Sequence, residues 1–188
     1  TLHKYGIYDT DRLTPEFHRS RRDELRSHMA PHSAAFFLSA SSKNRSNDVN
    51  YEYHQDPNFY YLTGHIQSNS ALLITKDPIT VGGVTTNEVI FVQQRDPARE
   101  VWTGPRLGTE GAKSVLKFQA ALLIDSVNSL LKQILPGFDT LYYTSPVSTT
   151  TAEVLLDTTL NNWVTVLAGM SRKYTNLKIS SVHKSWLA

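Results

Sequence analysis

The sequence predicts an α/β fold in which helices cover a central sheet. Three observations support this prediction. Short apolar runs of strand length alternate with stretches of helical periodicity. No internal repeat or low-complexity linker interrupts that alternation. The chain of 188 residues is 40% hydrophobic and 19% charged, which is enough apolar material for one core, so we expect a single domain over 1–188.

The first predicted helix runs from about Pro15 to Met29. Thr14 supplies an N-cap, and proline is well suited to the first helical position because it has no N–H to leave unpaired there. Pro31 ends the helix. The apolar run at 33–38 is then typical of a strand that is buried on both faces.

The middle of the chain is predicted to be rich in strands. The candidate strands are 59–63, 71–75 and 88–93. The last two are separated by a turn region with Pro78, Gly82 and Gly83. The segments 39–58 and 94–111 have no clear period. We interpret the first as a long ordered loop or a pair of short pieces, and the second as an irregular connection.

The C-terminal third adds two helices and a strand. A helix over 125–134, with Asp125 as its cap, is followed by a candidate strand at 141–144 and a third helix at 151–167. The predicted core includes Phe36, Phe37, Leu72, Ile74, Ile90, Phe91, Leu130 and Leu155.

Composition excludes several classes of function. A net charge of only +2 predicts no nucleic acid partner, and the absence of cysteine excludes disulfides and thiolate chemistry. The apolar runs are far shorter than the roughly 20 residues of a bilayer-spanning helix, so we expect no membrane partner. The chain begins at Thr1 without a leader-like segment, and we expect that its natural start lies elsewhere.

Charged and histidine clusters give no catalytic or metal site. The arginines of the first helix, Arg19, Arg21, Arg22 and Arg26, alternate with acids, which predicts a solvated, partly paired face. His28 and His32 have the i, i+4 spacing of metal ligands, but Pro31 breaks the helix between them. The glycines of 104–114 lack the spacing of a phosphate loop, and no nucleophile elbow is present.

Two irregular segments, 45–61 and 95–108, are unusually dense in aromatic and charged residues. The first carries an Arg-Ser-x-Asp start at 45–48, an aromatic pair at Tyr51 and Tyr53, and a Gln-Asp-x-x-Phe-x-Tyr-Leu-x-Gly run at 55–64. The second carries an Arg-Asp pair at 95–96 and a Glu-x-Trp-x-Gly-x-Arg-x-Gly run at 100–108. Such residues either recognise a ligand or pack a loop against the sheet, and their chemistry alone favours neither.

The two runs, in this order, resemble the N-terminal domain of the aminopeptidase P family, including its mitochondrial intermediate-cleaving peptidase branch. The resemblance implies a mixed six-stranded sheet with helices on both faces, of ribonuclease-H-like type. It also implies a division into an extension at 1–13, a globular core at 14–170 and the start of a junction at 171–188. Beyond that junction, family members have a C-terminal catalytic domain with two metal ions, commonly manganese, which activate water for attack on an Xaa-Pro bond.

The resemblance therefore predicts no catalytic residue, metal ligand or cofactor in this chain, and two manganese ions in the C-terminal domain. It predicts substrate contacts at Asp48 and Trp102, with loop support from Arg45, Tyr51, Tyr53 and Arg106. The expected partners are the protein's own catalytic domain, further copies in a dimer or tetramer, and a proline-containing peptide. The expected compartment is the cytoplasm or the mitochondrial matrix.

Two other interpretations are compatible with the same residues. One is a stand-alone binding or structural module of the same fold that has no peptidase domain. The other is a relative of creatinase or prolidase, which the motif around Trp102 and Arg106 disfavours because it is most similar to the aminopeptidase P branch.

Overall fold

A computed structural model describes residues 13–40, 44–46, 49–50, 53–143 and 178–181. Side chains are described for 13–40, 53–102 and 104–143. The helices are α1 (Pro15–His28), α2 (Pro57–Thr63), α3 (Pro97–Thr103), α4 (Gly108–Ser114) and α5 (Val127–Ile134). The strands are β1 (Ser33–Leu38), β2 (Asn44–Ser46), β3 (Val49–Asn50), β4 (Ala71–Val81), β5 (Val84–Val92), β6 (Ala120–Leu123), β7 (Thr140–Tyr143) and β8 (Lys178–Ser181). Short 3-10 turns, Ile124–Ser126 and Leu135–Gly137, flank α5.

Six of the described strands form one mixed sheet in the order β6-β5-β4-β1-β7-β8. The pairs β1/β4 and β4/β5 are antiparallel, whereas β5/β6, β1/β7 and β7/β8 are parallel. The short strands β2 and β3 pair separately. The predicted mixed six-stranded sheet with flanking helices is confirmed.

Both faces of the sheet are buried, because successive residues of a strand point to opposite sides. In β1, Phe37 faces a core that includes Leu25 of α1, and Phe36 faces the opposite core with Leu131 of α5. Seven predicted core residues are buried, namely Phe36, Phe37, Leu72, Ile74, Ile90, Phe91 and Leu130. Leu155 and the helix predicted at 151–167 lie outside the described residues.

Helix α1 begins and ends as the sequence predicts. The Thr14 side chain accepts a hydrogen bond from the backbone N–H of Phe17, and Pro15 follows at the first helical position. At the other end, Lys76 Nζ donates to the carbonyls of Arg26 (2.9 Å) and Ser27 (3.2 Å). These bonds satisfy carbonyls that the end of a helix leaves unpaired.

The strand predicted at 59–63 is wrong, since these residues form α2. The Asp56 carboxylate accepts from the Phe59 N–H (2.8 Å), and Pro57 occupies the first turn. Gly64 then ends the helix with φ of +67°, and its N–H donates to the Tyr60 carbonyl (2.7 Å). The aromatic composition of this segment favours a strand, but the caps at both ends decide the outcome.

Three further boundaries differ from the sequence prediction. Strand β4 continues through Pro78 because the register shifts between Ile74 and Ile79, and the turn is confined to the two glycines at 82–83. The segment 94–111 contains α3 and the start of α4 and is not irregular. Asp125 does not cap α5, because it lies in the preceding 3-10 turn.

The predicted solvated arginine face of α1 is wrong for Arg22, whose side chain is 1% exposed. Its guanidinium donates to both carboxylate oxygens of Glu88 on β5, at 2.7 and 3.0 Å, and to the Leu62 carbonyl (2.7 Å). It also lies 4.1 Å from the ring centroid of Phe118. The pair Arg26–Asp23 lies on the exposed side, as the sequence predicts.

Candidate functional site

Helix α3 begins at a carboxylate cap and is fixed by an ion pair. The Asp96 side chain accepts from the Arg99 N–H (3.2 Å), and Pro97 follows it. Arg95 donates through Nε (3.2 Å) and Nη2 (2.8 Å) to the two oxygens of Glu100, which also accepts from the Asp96 N–H (3.0 Å). The hydrogen bonds from Arg95 lower the pKa of Glu100 to about 2.

The segment after α3 requires two glycines. Gly104 has φ of +81° and ψ of 164°, a conformation that is essentially restricted to glycine. Gly108 has φ of +65°, and a Cβ at this position would lie 2.6 Å from Cγ of Arg95. Between them, Arg106 Nη1 donates to the Gln94 carbonyl (3.3 Å). The glycine spacing of the second motif is therefore explained by the path of the backbone around Arg95.

The outer face of α3 is apolar and open to solvent. Trp102 is 89% exposed and Val101 is 78% exposed. The Glu100 side chain is 8% exposed, and none of the apolar side chains described for this helix is buried. Because the core does not hold α3, its orientation depends on the polar contacts at its two ends.

A half-buried polar network is centred on the amide of Gln55 and reaches the segment after α3 through Gln67. Gln55 Oε1 accepts from the N–H groups of Ala40 (2.8 Å) and Asp56 (2.9 Å), and Nε2 donates to the carbonyls of His65 and Gln67 (3.0 Å each). All the donor and acceptor capacity of the amide is thus used.

The Tyr53 hydroxyl joins the same network. It lies 3.0 Å from the Ala40 carbonyl and 2.9 Å from Gln55 Oε1, and its single proton serves one of these acceptors at a time. Burial raises the pKa of Tyr53 above its usual range, so the hydroxyl keeps its proton near neutral pH.

His65 is a buried neutral histidine in this network. Its Nε2 lies 3.0 Å from Ser70 Oγ, and its ring centroid lies 6.4 Å from that of Phe59. Burial lowers the pKa of His65 to about 4. The ring is therefore neutral at physiological pH and acts as a structural group.

One known family matches this chain over a range that contains both motif segments. Residues 18–142 match the family described as "Aminopeptidase P, N-terminal domain". The chain belongs to this family. The predicted resemblance is confirmed, because the matched range contains 45–64 and 95–108.

Curated relatives of this N-terminal domain are aminopeptidases. The chain is 35% identical over 138 residues to "Xaa-Pro aminopeptidase" of Haemophilus influenzae, with 73% of this chain and 31% of the relative covered. It is 36% identical over 128 residues to that of Escherichia coli, with 68% and 28% covered. "Intermediate cleaving peptidase 55" of Schizosaccharomyces pombe is 27% identical over 156 residues, with 79% and 32% covered. The chain spans about a third of the length of these relatives.

Solved structures of aminopeptidase P have a similar fold. The Pseudomonas aeruginosa aminopeptidase PepP gives a TM-score of 0.71 at 26% identity and covers 94% of this chain and 38% of its own. Escherichia coli aminopeptidase P with the inhibitor Pro-Leu gives 0.68 at 28% identity, with 90% and 36% covered.

The predicted site residues of this aminopeptidase P domain fall into three groups. Trp102 lies on α3, whereas the sequence placed it in an irregular segment. Tyr53 and Arg106 make the loop contacts given above, and their supporting role stays a prediction. Arg45 lies on β2 with no described side chain, and Asp48 and Tyr51 lie outside the described residues.

Sequence reasoning missed Gln55, Gln67, Arg95 and Glu100 as supporting residues. Gln55, Arg95 and Glu100 lie inside the quoted motifs, so the signal was available. Gln67 lies outside both motifs, and its contacts with 105–107 depend on the fold.

In the parts of the chain that the structure describes, no group of three or more histidine or acidic side chains is arranged to hold a metal ion. Nor does any helix there have the length and apolarity that a membrane span needs.

Proposed function

We propose that this domain contributes substrate gating and oligomer contacts to an Xaa-Pro aminopeptidase, and that the parent protein removes N-terminal residues that precede a proline. The names of the curated relatives support the activity of the parent. The observation that carries the role of this domain is the 89% exposure of Trp102 on a helix held by polar contacts. A large aromatic that the fold leaves open is suited to cover a peptide at low cost in conformational entropy.

Catalysis itself is assigned to another domain in this proposal. The described residues do not fit a two-metal centre. The two manganese ions belong to the C-terminal part of the parent, as the family resemblance implies. We expect the 188-residue chain to leave an Xaa-Pro peptide uncleaved with or without added manganese, and metal-dependent turnover by the purified chain would contradict this.

Trp102 and Asp48 are proposed to wall the active site of a catalytic domain, which a neighbouring copy supplies in a dimer or tetramer. Asp48 is a candidate contact for the amino group of the substrate, because a carboxylate pairs well with a terminal ammonium. The proposed compartment is the cytoplasm or the mitochondrial matrix. A full reading frame that encodes no metal ligands would favour the stand-alone binding module.

The test compares Trp102→Ala in the 188-residue chain and in the full-length protein. We expect the thermal midpoint of the chain to change little, because the side chain is exposed. In the full-length protein we expect a loss of about 2 kcal/mol in transition-state binding, or roughly thirtyfold in kcat/KM. Phe91→Ala is the matched control, since this buried aromatic should cost about 3–5 kcal/mol of stability. Unchanged kcat/KM for Trp102→Ala would contradict the proposal.

A further inference from the structure

The orientation of Trp102 depends on how the backbone leaves α3. The entrance of the helix is fixed by the Asp96 cap and the pair between Arg95 and Glu100. Its exit, by contrast, passes through Gly104, a residue with the widest backbone freedom. Beyond Gly104, the Arg106 backbone bonds the Glu100 carboxylate, and the Arg106 side chain donates to the Gln94 carbonyl. Neither contact ties the exit to the first motif, so a fixed orientation of Trp102 relative to that motif needs a further restraint.

Gln67 supplies that restraint through both ends of its amide. Its Nε2 donates to the Pro105 carbonyl (2.8 Å), and its Oε1 accepts from the Leu107 N–H (3.0 Å). Both partners are backbone groups that flank Arg106, so the two hydrogen bonds fix the direction of the chain as well as its position. A glutamine amide offers one donor and one acceptor side by side, which this pair of backbone groups requires.

Gln67 is itself anchored to the first motif. Its carbonyl accepts from Nε2 of Gln55, and the same amide of Gln55 binds the backbone of Ala40. A series of hydrogen-bonded residues thus leads from Ala40, which follows β1, through the two glutamines to the exit of α3. These hydrogen bonds link the segment that precedes the first motif with the segment that follows Trp102.

We propose that Gln67 is a positioning residue, which sets the orientation of Trp102 relative to the segment of the first motif. Its role in catalysis rests on the proposed function of Trp102, whereas its role in ordering α3 does not. Loss of the amide should release the backbone at 104–107 and let Trp102 sample several orientations, while the core remains intact.

The chain offers a matched control in Gln93, whose Nε2 donates to the Ser68 carbonyl (2.8 Å) next to Gln67. Gln93→Ala removes a hydrogen bond of the same kind from the same region but leaves the two bonds to 105–107 in place. Gln67→Glu is a second variant of nearly the same shape, which keeps the acceptor for the Leu107 N–H but loses the donor to Pro105.

The measurement uses the 188-residue chain with Trp163→Phe and Trp186→Phe, so that Trp102 is the only tryptophan. Time-resolved fluorescence anisotropy reports the order of Trp102, and residue-resolved amide exchange reports the Leu107 N–H. For Gln67→Ala we expect a lower residual anisotropy and about tenfold faster exchange at Leu107, because a single hydrogen bond protects that amide. Gln93→Ala should change neither.

The outcomes separate the two proposals. If Gln67→Ala leaves both the anisotropy and the Leu107 exchange unchanged, the positioning role is wrong. Should Gln67→Ala fail to fold, Gln67→Glu decides, since it must lower the anisotropy while the Leu107 amide stays protected. If Trp102 becomes mobile but kcat/KM of the full-length protein stays the same, the positioning role stands and the proposed function of Trp102 is overturned.

Discussion

The buried pair between Arg22 and Glu88 tests how α1 is held on the sheet. Glu88→Gln keeps the shape of the side chain but removes its charge, so the Arg22 guanidinium, 1% exposed, loses its counterion. It keeps the Leu62 carbonyl, the Phe118 ring and one amide oxygen at position 88 as partners. A buried charge without a counterion destabilises a fold by about 3–5 kcal/mol. We expect Glu88→Gln to lower the free energy of unfolding by an amount near the bottom of that range, because the amide oxygen still accepts one hydrogen bond.

The double variant Arg22→Met, Glu88→Leu separates the pair from its parts. Replacement of both charges by apolar side chains of similar volume is often neutral, but here the Leu62 carbonyl loses its partner, at a cost of about 1–3 kcal/mol. The double variant should therefore be more stable than Glu88→Gln. Asp23→Asn is the surface control, and it should cost less than about 1 kcal/mol because Asp23 and Arg26 are both partly exposed.

Urea unfolding at neutral pH measures all three variants, with the m-value as a check that the same surface is exposed. If the free energy of unfolding of Glu88→Gln lies within about 1 kcal/mol of that of the starting protein, the buried pair does not hold α1 as described. The same conclusion follows if the double variant is the least stable of the three.

Three further predictions concern single positions. Gly64→Ala should lower the urea midpoint much more than Gly82→Ala, since both have positive φ but only a Cβ at 64 meets the His18 ring, at 2.7 Å. Burial gives His65 a folded pKa of about 4 against an ordinary 6.5. Unfolding measurements should therefore find full stability above pH 6.5 and a loss of roughly 3 kcal/mol as the pH falls to 4. His65→Gln should abolish this loss. Glu100 has a folded pKa of about 2 against 4.5, so the order of α3 should persist above pH 4.5 and decline toward pH 2, whereas Glu100→Gln should show no such dependence in the anisotropy of Trp102.

The parts of the fold that sequence could predict are those with local causes. Helix α1 follows from the Thr14 cap, and β1 follows from an apolar run that both faces of the sheet need. The segment 59–63 shows where this reasoning fails, because its aromatic side chains favour a strand and were weighed above the Asp56 cap and the Gly64 terminus. Asp56 and Gly64, which decide the outcome, are present in the sequence, but a prediction from strand propensity gives the aromatic side chains more weight than the two caps.

Long-range partners explain most of the remaining differences. Arg22 was interpreted as one member of a solvated arginine face because its acidic neighbours are close in sequence. Its actual partner, Glu88, lies 66 positions away, and no local pattern indicates which of four arginines would be buried. Gln67 is a similar case, since its bonds reach 38 and 40 positions along the chain. Periodicity and capping rules describe residues that are close in sequence, so they do not predict contacts between residues this far apart.

Four residues of the second motif have a structural role in this domain, whereas Trp102 does not. Arg95 and Glu100 form the ion pair that orients α3, and Gly104 and Gly108 adopt backbone conformations that a side chain would strain. Trp102 has no such structural task, because 89% of its surface stays open to solvent. A helix fixed by charge and amide contacts therefore presents Val101 and Trp102 to solvent, and under the proposed function another molecule or domain buries the larger of the two side chains, Trp102.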